Sequence, residues 1–372
     1  MSIQKRNLSF FMTFSTSLVK WDQANILERE ISPYIFLAEH FSQIFIFTYG
    51  NSKDYKYKDK LTSNIKVIIK PKFIPSRWYQ YLAPLLHLPT IFRSHFLKTN
   101  QMHGAKTAII AKFLNPFAKL IIRTGYTQSL FDAKENKNLS KIKRLEKIAY
   151  RFANHSLVTS LADKKYLIEE YKIPKNKISV IANYIDTDIF RPNLKITKLE
   201  NRLIFVGRLS SQKNLPSLIK ALSGLNLSLD LIGEGKQKEE LKKLAESEKV
   251  SVNFFGTIPN FKLPEILNRY RIFILPSLYE GMPKTLLEAM SCNLACIATN
   301  VPGSREVIQN GKNGLLAETS SASLRENILK LINNLEFQKT LGENAREFIL
   351  KNFSLKTQIQ KELSIYQNLT KN

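Results

Sequence analysis

The chain has 372 residues and a formal net charge of +25, from 56 Lys+Arg against 31 Asp+Glu. Its 44% hydrophobic and 23% charged residues exclude wholesale disorder, and the length suits two domains that each bury a core. Two cysteines, Cys292 and Cys296, exclude a disulfide scaffold and a four-cysteine zinc site, and five histidines leave little room for a histidine-rich metal centre.

In chain order, a β-rich run at 8–14 precedes the loop 15–17, then a helical pattern from about Asp22 to His40. Short strands are predicted at 44–48, 65–69 and 119–123, a helix at 141–153, a strand at 156–159 and a helix at 162–171. Residues 191–202 are polar and without a clear period, which reads as a linker. The alternation restarts with strands at 203–206, 228–232, 252–255, 272–275 and 295–298. Helices at 216–222, 238–248, 264–268 and 284–290 lie between them. Two more helices are expected near 322–334 and 337–351, and 353–372 is helical in pattern. Strands alternating with helices imply an α/β protein of two doubly wound, Rossmann-like parallel sheets facing across a cleft, with ligands beyond the carboxyl ends of the strands.

The charge is uneven. Residues 1–200 carry a balance of +18 and residues 201–372 one of +7. No acidic residue occurs between Asp59 and Asp132, a gap of 72 positions holding eleven cations and, interleaved with them, Phe73, Trp78, Tyr79, Tyr81, Phe92 and Phe96. Such a mix suits an anionic membrane surface. It also suits nucleic acid, or a solvated basic face whose aromatics are core. The longest uncharged run there, Trp78 to Phe92, is 15 residues with two prolines, too short to span a bilayer. The N-terminus lacks the continuous apolar segment of a signal peptide, so the chain reads as cytoplasmic and peripheral.

Chemistry gathers at strand ends in the second half. Gly207 permits close approach of a ligand to the backbone, and Arg208 and Lys213 supply two cations for a diphosphate at a strand-to-helix turn. Gly233-Glu234-Gly235 opens a second such turn; Lys238 at the sixth position excludes a dinucleotide fingerprint. Glu280 lies before a helix and Glu288 eight residues on within it, a spacing able to bracket a polyhydroxylated ligand. The N–H groups of Gly281 to Lys284 add the positive end of a helix dipole. Any one turn alone reads as a surface loop; the set at successive strand ends does not.

These segments carry a resemblance: 206–214, 231–235, 254–257, 276–290, 301–308 and 313–316, with 183–192 before the linker. The chain resembles the retaining glycosyltransferases of the GT-B fold, family 4 (glycosyl transferases group 1), strongly over about 180–318. The resemblance implies that Arg208 and Lys213 bind the donor diphosphate and stabilise the leaving nucleotide. It implies that Glu280 contacts the donor sugar, that Glu288 bonds the ribose, and that Gly281, Met282, Pro283, Lys284 and Thr285 hold sugar and phosphate. By the same resemblance Gly207 and Gly233 would lie at the donor, and Thr257 and Ile258 would line the base pocket. No cofactor and no metal are expected, with a UDP- or GDP-sugar as substrate. Asp186-Thr187-Asp188 spells a metal-dependent Asp-x-Asp but sits in a turn before the linker. The implied domains are 1–195 for the acceptor, 196–352 for the nucleotide-sugar, and a helix at 353–372 packing back on the first.

The first half departs from the family pattern. The loop 15–21 has no glycine, and Arg123-Thr124-Gly125-Tyr126 stands where many relatives have histidine; His87, His103 and His155 read as structural. Ser17, Trp21, Asn100, Arg123 and Tyr126 are the acceptor-side candidates. The expected activity is transfer of a hexosyl group to an acceptor hydroxyl with retention, in cell-envelope polysaccharide, lipopolysaccharide or glycolipid assembly. The acceptor is expected to be a glycan or lipid-linked, at the cytoplasmic face of the inner membrane, with no nucleic-acid partner. A sugar-nucleotide 2-epimerase of the same fold is the alternative, and a basic nucleic-acid-binding protein a further one.

Overall fold

Continuous apolar runs in nearly every strand call for sheets covered on both faces, which only helical crossovers supply. The computed structural model describes residues 3–125, 127, 129 and 139–371. They form two compact units, residues 1–182 with 359–372 and residues 183–358.

The first unit holds a seven-stranded, all-parallel sheet. Its strands are β1 (Asn7–Phe11), β2 (Gln43–Phe47), β3 (Ile65–Ile68), β4 (Phe96–Thr99), β5 (Lys119–Arg123), β6 (His155–Val158) and β7 (Ile178–Val180), in the order β3-β2-β1-β4-β5-β6-β7. The order reverses direction between β1 and β4, the switch point at which a doubly wound sheet opens a crevice. Phe11, Leu97, Leu120 and Ile122 lie at the centre of its core.

The helix expected over 22–40 is two helices, Leu18–Gln23 and Leu27–Ala38. Asn25 between them is left-handed at φ 56°, which ends the first helix after Gln23. The run from Trp78 to Phe92 folds as helices Ser76–Leu86 and Leu88–Arg93. Among the described residues, no helix is long and apolar enough to cross a membrane. Strand β4 escapes the sequence pattern because Lys98 interrupts it. That lysine is fully buried, and its Nζ lies 2.5 Å from Glu362 Oε1 on the C-terminal helix Leu355–Lys371. Tyr366 OH also donates to Glu362 Oε1, at 2.8 Å, and the Tyr366 ring packs on Phe41 and Phe96.

The second unit is a six-stranded parallel sheet: β8 (Arg202–Val206), β9 (Ser228–Ile232), β10 (Ser251–Gly256), β11 (Ile272–Leu275), β12 (Ala295–Thr299) and β13 (Leu315–Ala317). Its order, β10-β9-β8-β11-β12-β13, switches between β8 and β11. Three-residue β7 and β13 are too short to show a period and were not expected. Residues 191–202 are tied to the second unit: Asn193 N–H donates to Asn268 Oδ1 at 2.8 Å and Leu199 N–H to Arg269 O at 2.7 Å.

Candidate functional site

In the second unit the strand ends at the β8/β11 switch point bring together residues far apart in sequence. Gly207 follows β8, and Lys213 ends a 3-10 turn, Ser211–Lys213. The Lys213 ammonium pairs with Glu280 Oε1, in the loop after β11. Ser277 Oγ donates to that same oxygen at 2.6 Å. The Lys213 and Glu280 side chains are only 12% and 8% exposed, so the pair is held largely out of water. The backbones are stitched as well: Leu278 N–H donates to Gln212 O at 2.8 Å, and Gln212 Nε2 to Tyr279 O at 2.9 Å. Arg208, directly after Gly207 at the end of β8, is exposed.

Two glycines set how close the loops come. A Cβ on Gly233, whose φ is +135°, would sit 1.9 Å from Gly207 O. One on Gly303 would sit 1.9 Å from Gly281 O. Neither loop pair can close around a larger residue. Gly233 N–H in turn donates to Gly256 O at 2.8 Å, so the ends of β8, β9 and β10 are in backbone contact. Thr257 and Ile258 follow on that edge, exposed and half-buried respectively.

Glu288, 1% exposed on helix Lys284–Ser291, accepts from Asn260 Nδ2 at 3.0 Å, which ties the loop after β10 to this helix. Met282 and Pro283 are buried before the helix, and Asn183 Nδ2 donates to Met282 O at 2.8 Å. Lys284 and Thr285 open the helix half-buried, with Lys284 Nζ 5.4 Å from the centre of the Tyr184 ring. The arrangement offers a buried carboxylate–ammonium pair, an exposed guanidinium and the positive end of a helix dipole, a set suited to a sugar and a diphosphate.

Sequence reasoning passed over Gln212, Ser277, Asn260 and Asn183, which orient these groups. Gln212, Ser277 and Asn183 stand inside the segments that carry the resemblance, so a signal for them existed; Asn260 had none beyond position. Asp186 is a turn residue: its Oδ1 accepts the N–H groups of Asp188 and Ile189 at 3.1 and 3.2 Å. Among the described residues, no group of three or more His, Cys, Asp or Glu is placed to hold a metal ion.

The first-unit candidates lie near the β1/β4 switch point. Ser17 caps helix Leu18–Gln23, its Oγ accepting from Lys20 N–H at 3.1 Å. Trp21, 5% exposed, is part of the core. Asn100, buried after β4, donates its N–H to Phe11 O at 3.1 Å. Arg123 ends β5, exchanging bonds with Thr99 Oγ1 through its backbone. Gly125 N–H donates to Gln101 Oε1 at 2.8 Å. Tyr126 lies outside the described residues. His155 Nε2 is 2.9 Å from Ser179 Oγ, His87 packs edge-on against Phe47, and burial holds both imidazoles below the usual histidine range. His103 is exposed. The sequence pattern also missed two buried acids: Asp163 Oδ1 accepts from Thr127 N–H at 3.0 Å, and Glu146 Oε2 from Ser129 Oγ at 2.5 Å.

Two family models match the chain: "Glycosyltransferase Family 4" over residues 36–189 and "Glycosyl transferases group 1" over 186–348. An uncharacterized glycosyltransferase of Methanocaldococcus jannaschii is 32% identical over 198 residues, 53% of this chain and 55% of that protein. The chain thus spans about half the length of that relative. A UDP-Gal:alpha-D-GlcNAc-diphosphoundecaprenol alpha-1,3-galactosyltransferase of Escherichia coli is 26% identical over 293 residues, covering 73% of this chain and 75% of that one. Among solved structures, Anabaena HepE in complex with UDP and glucose shares the fold, with a TM-score of 0.78 over 99% of this chain and all of that one, at 19% identity.

Proposed function

Because the chain belongs to the family 4, group 1 glycosyltransferases of the GT-B fold, we propose that it moves a hexosyl group from a nucleotide-sugar to an acceptor hydroxyl with retention of configuration. The observation that carries the reading is the Lys213–Glu280 pair at the β8/β11 switch point. In this reading the donor diphosphate recruits Lys213 and Arg208, and Glu280 turns to hydroxyls of the donor sugar. The two cations stabilise charge as it develops on the departing nucleotide, usually a large catalytic term. Glu288 takes the ribose, Thr257 and Ile258 the base, and the backbone from Gly281 to Thr285 the sugar and phosphates. Retention follows from attack on the face the leaving group vacates, with the leaving phosphate accepting the acceptor proton; the cations take the place of a metal.

The unit built on β1–β7 serves the acceptor in this reading. Ser17, Asn100 and Arg123 line the ends of β1, β4 and β5. Work in cell-envelope glycan assembly is supported by the E. coli relative, whose named acceptor is a diphosphoundecaprenol-linked sugar; in this reading the work lies at the cytoplasmic face of a membrane. The epimerase alternative is not favoured, since the named relatives are transferases.

The test is thermal unfolding with UDP, GDP and ADP. A bound nucleoside diphosphate at a hundred times its Kd adds about 2.7 kcal/mol of stability and raises Tm. Turnover is then screened with the matching nucleotide-sugars. No shift with any diphosphate would sink the reading.

A further inference from the structure

We propose that the outer face of helix Ser76–Leu86 is a docking surface for an anionic lipid bilayer. The inference deepens the transferase reading, on which it rests only for its purpose: it supplies the surface at which a lipid-linked acceptor is met.

At about 100° per residue, Arg77, Trp78, Tyr81, Leu82, Leu85 and Leu86 fall within one half of this helix. All six are exposed, and five are apolar or aromatic. Tyr79 and Ala83, on the other half, are buried. Phe73 just before the helix is 84% exposed, Trp78 56%, and Phe92 on the next helix 62%. Single exposed apolar residues need no explanation, but a contiguous face of them marks a partner.

The charge names the partner. Lys72, Arg77 and Arg93 are exposed around this face, and Lys106 Nζ lies 3.3 Å from Tyr81 OH at its side. Helices Ser76–Leu86, Leu88–Arg93 and Ala105–Leu114 carry no acidic side chain. A second copy meeting this face would set those cations against their own kind. A nucleic acid would gain nothing from Leu82, Leu85 and Leu86. An anionic membrane interface takes all three classes at once: aliphatic chains below the headgroups, Trp and Tyr rings at their level, cations against the phosphates.

The test is co-sedimentation of the full chain with vesicles of phosphatidylcholine alone or mixed with phosphatidylglycerol. Binding is expected on the anionic vesicles and to weaken with salt. Replacing Lys72, Arg77 and Arg93 together by Gln should lower that affinity about a hundredfold, at about fivefold per cation. Trp78→Ala with Leu82→Gln and Leu85→Gln should also release the protein. Both triple variants should keep the wild-type Tm and any shift with nucleoside diphosphate. Absence of binding to anionic vesicles, unchanged binding in both variants, or a wild-type oligomer that the apolar variant dissociates would each overturn the proposal. Vesicle binding without any nucleotide shift would leave this surface standing and remove the transferase reading instead.

Discussion

Lys213→Met keeps the aliphatic stem and removes the ammonium, which strands the Glu280 carboxylate with Ser277 Oγ at 2.6 Å. Breaking a buried pair from one side costs about 3–5 kcal/mol; with 12% and 8% exposure, the lower end applies, about 3 kcal/mol. In a unit of this size, residues 183–358, that is a fall in Tm of about 6–12 °C. Adding Glu280→Gln removes the stranded charge while leaving an acceptor for Ser277, so the double variant should return to within about 1 kcal/mol of wild type. Activity should not return with it. Losing one preorganised electrostatic contact at developing charge costs about a hundred- to a thousandfold in kcat, and the double variant also loses the carboxylate at the donor-sugar hydroxyls. Thermal melts and release of nucleoside diphosphate from the donor, measured on all three proteins, separate the two effects. A Lys213→Met protein as stable as wild type would refute the energetic argument. A double variant turning over near the wild-type rate would remove both residues from the chemistry.

Glu362→Ala should cost about 3–5 kcal/mol by stranding buried Lys98, whereas Lys98→Met with Glu362→Gln, whose amide oxygen still accepts from Tyr366 OH, should recover most of that loss in urea unfolding. Burial raises the Glu362 carboxyl, and the Lys98 and Arg123 charges more than reverse this, leaving it below the usual range. Its contribution is therefore complete above the unfolded pKa of about 4.3 and lost as pH falls through the folded value, which the acid dependence of the urea midpoint reports. Gly224→Ala, at φ +72° with nothing within 4 Å, should cost about 1 kcal/mol. Gly233→Ala would place its Cβ 1.9 Å from Gly207 O and should cost more than about 3 kcal/mol, with loss of nucleotide binding in a thermal-shift titration. Chelation with EDTA should leave turnover unchanged, as should Asp186→Asn, whose amide oxygen still accepts the two turn N–H groups; a rate lost to EDTA and restored by a divalent cation would overturn metal independence.

The strand-and-helix alternation, both parallel sheets and the site segments of the second unit were legible from residue order. Apolar runs, glycines at strand ends and a cation or acid just beyond them are local signals, and a parallel sheet delivers all such ends to one edge. That is why Gly207, Lys213, Gly233, Glu280 and Glu288 could be singled out before any of them was seen to meet. Their meeting was another matter. That Lys213 faces Glu280, and Asn260 faces Glu288, depends on which strands become neighbours.

The first unit shows the same division more sharply. β4 reads as interrupted by Lys98, because a buried cation is tolerable only beside its counter-charge, and that charge lies 264 residues away at Glu362. Trp21 reads as a candidate ligand contact and is core. Among the aromatics of the acid-free stretch, composition could not separate Trp78, which faces water, from Tyr79 and Phe96, which do not. By itself the sequence determined the period of each element and the chemistry available at its ends. Only the tertiary structure decided partners and burial, because those energies depend on what a side chain packs against, and that is set by residues distant along the chain.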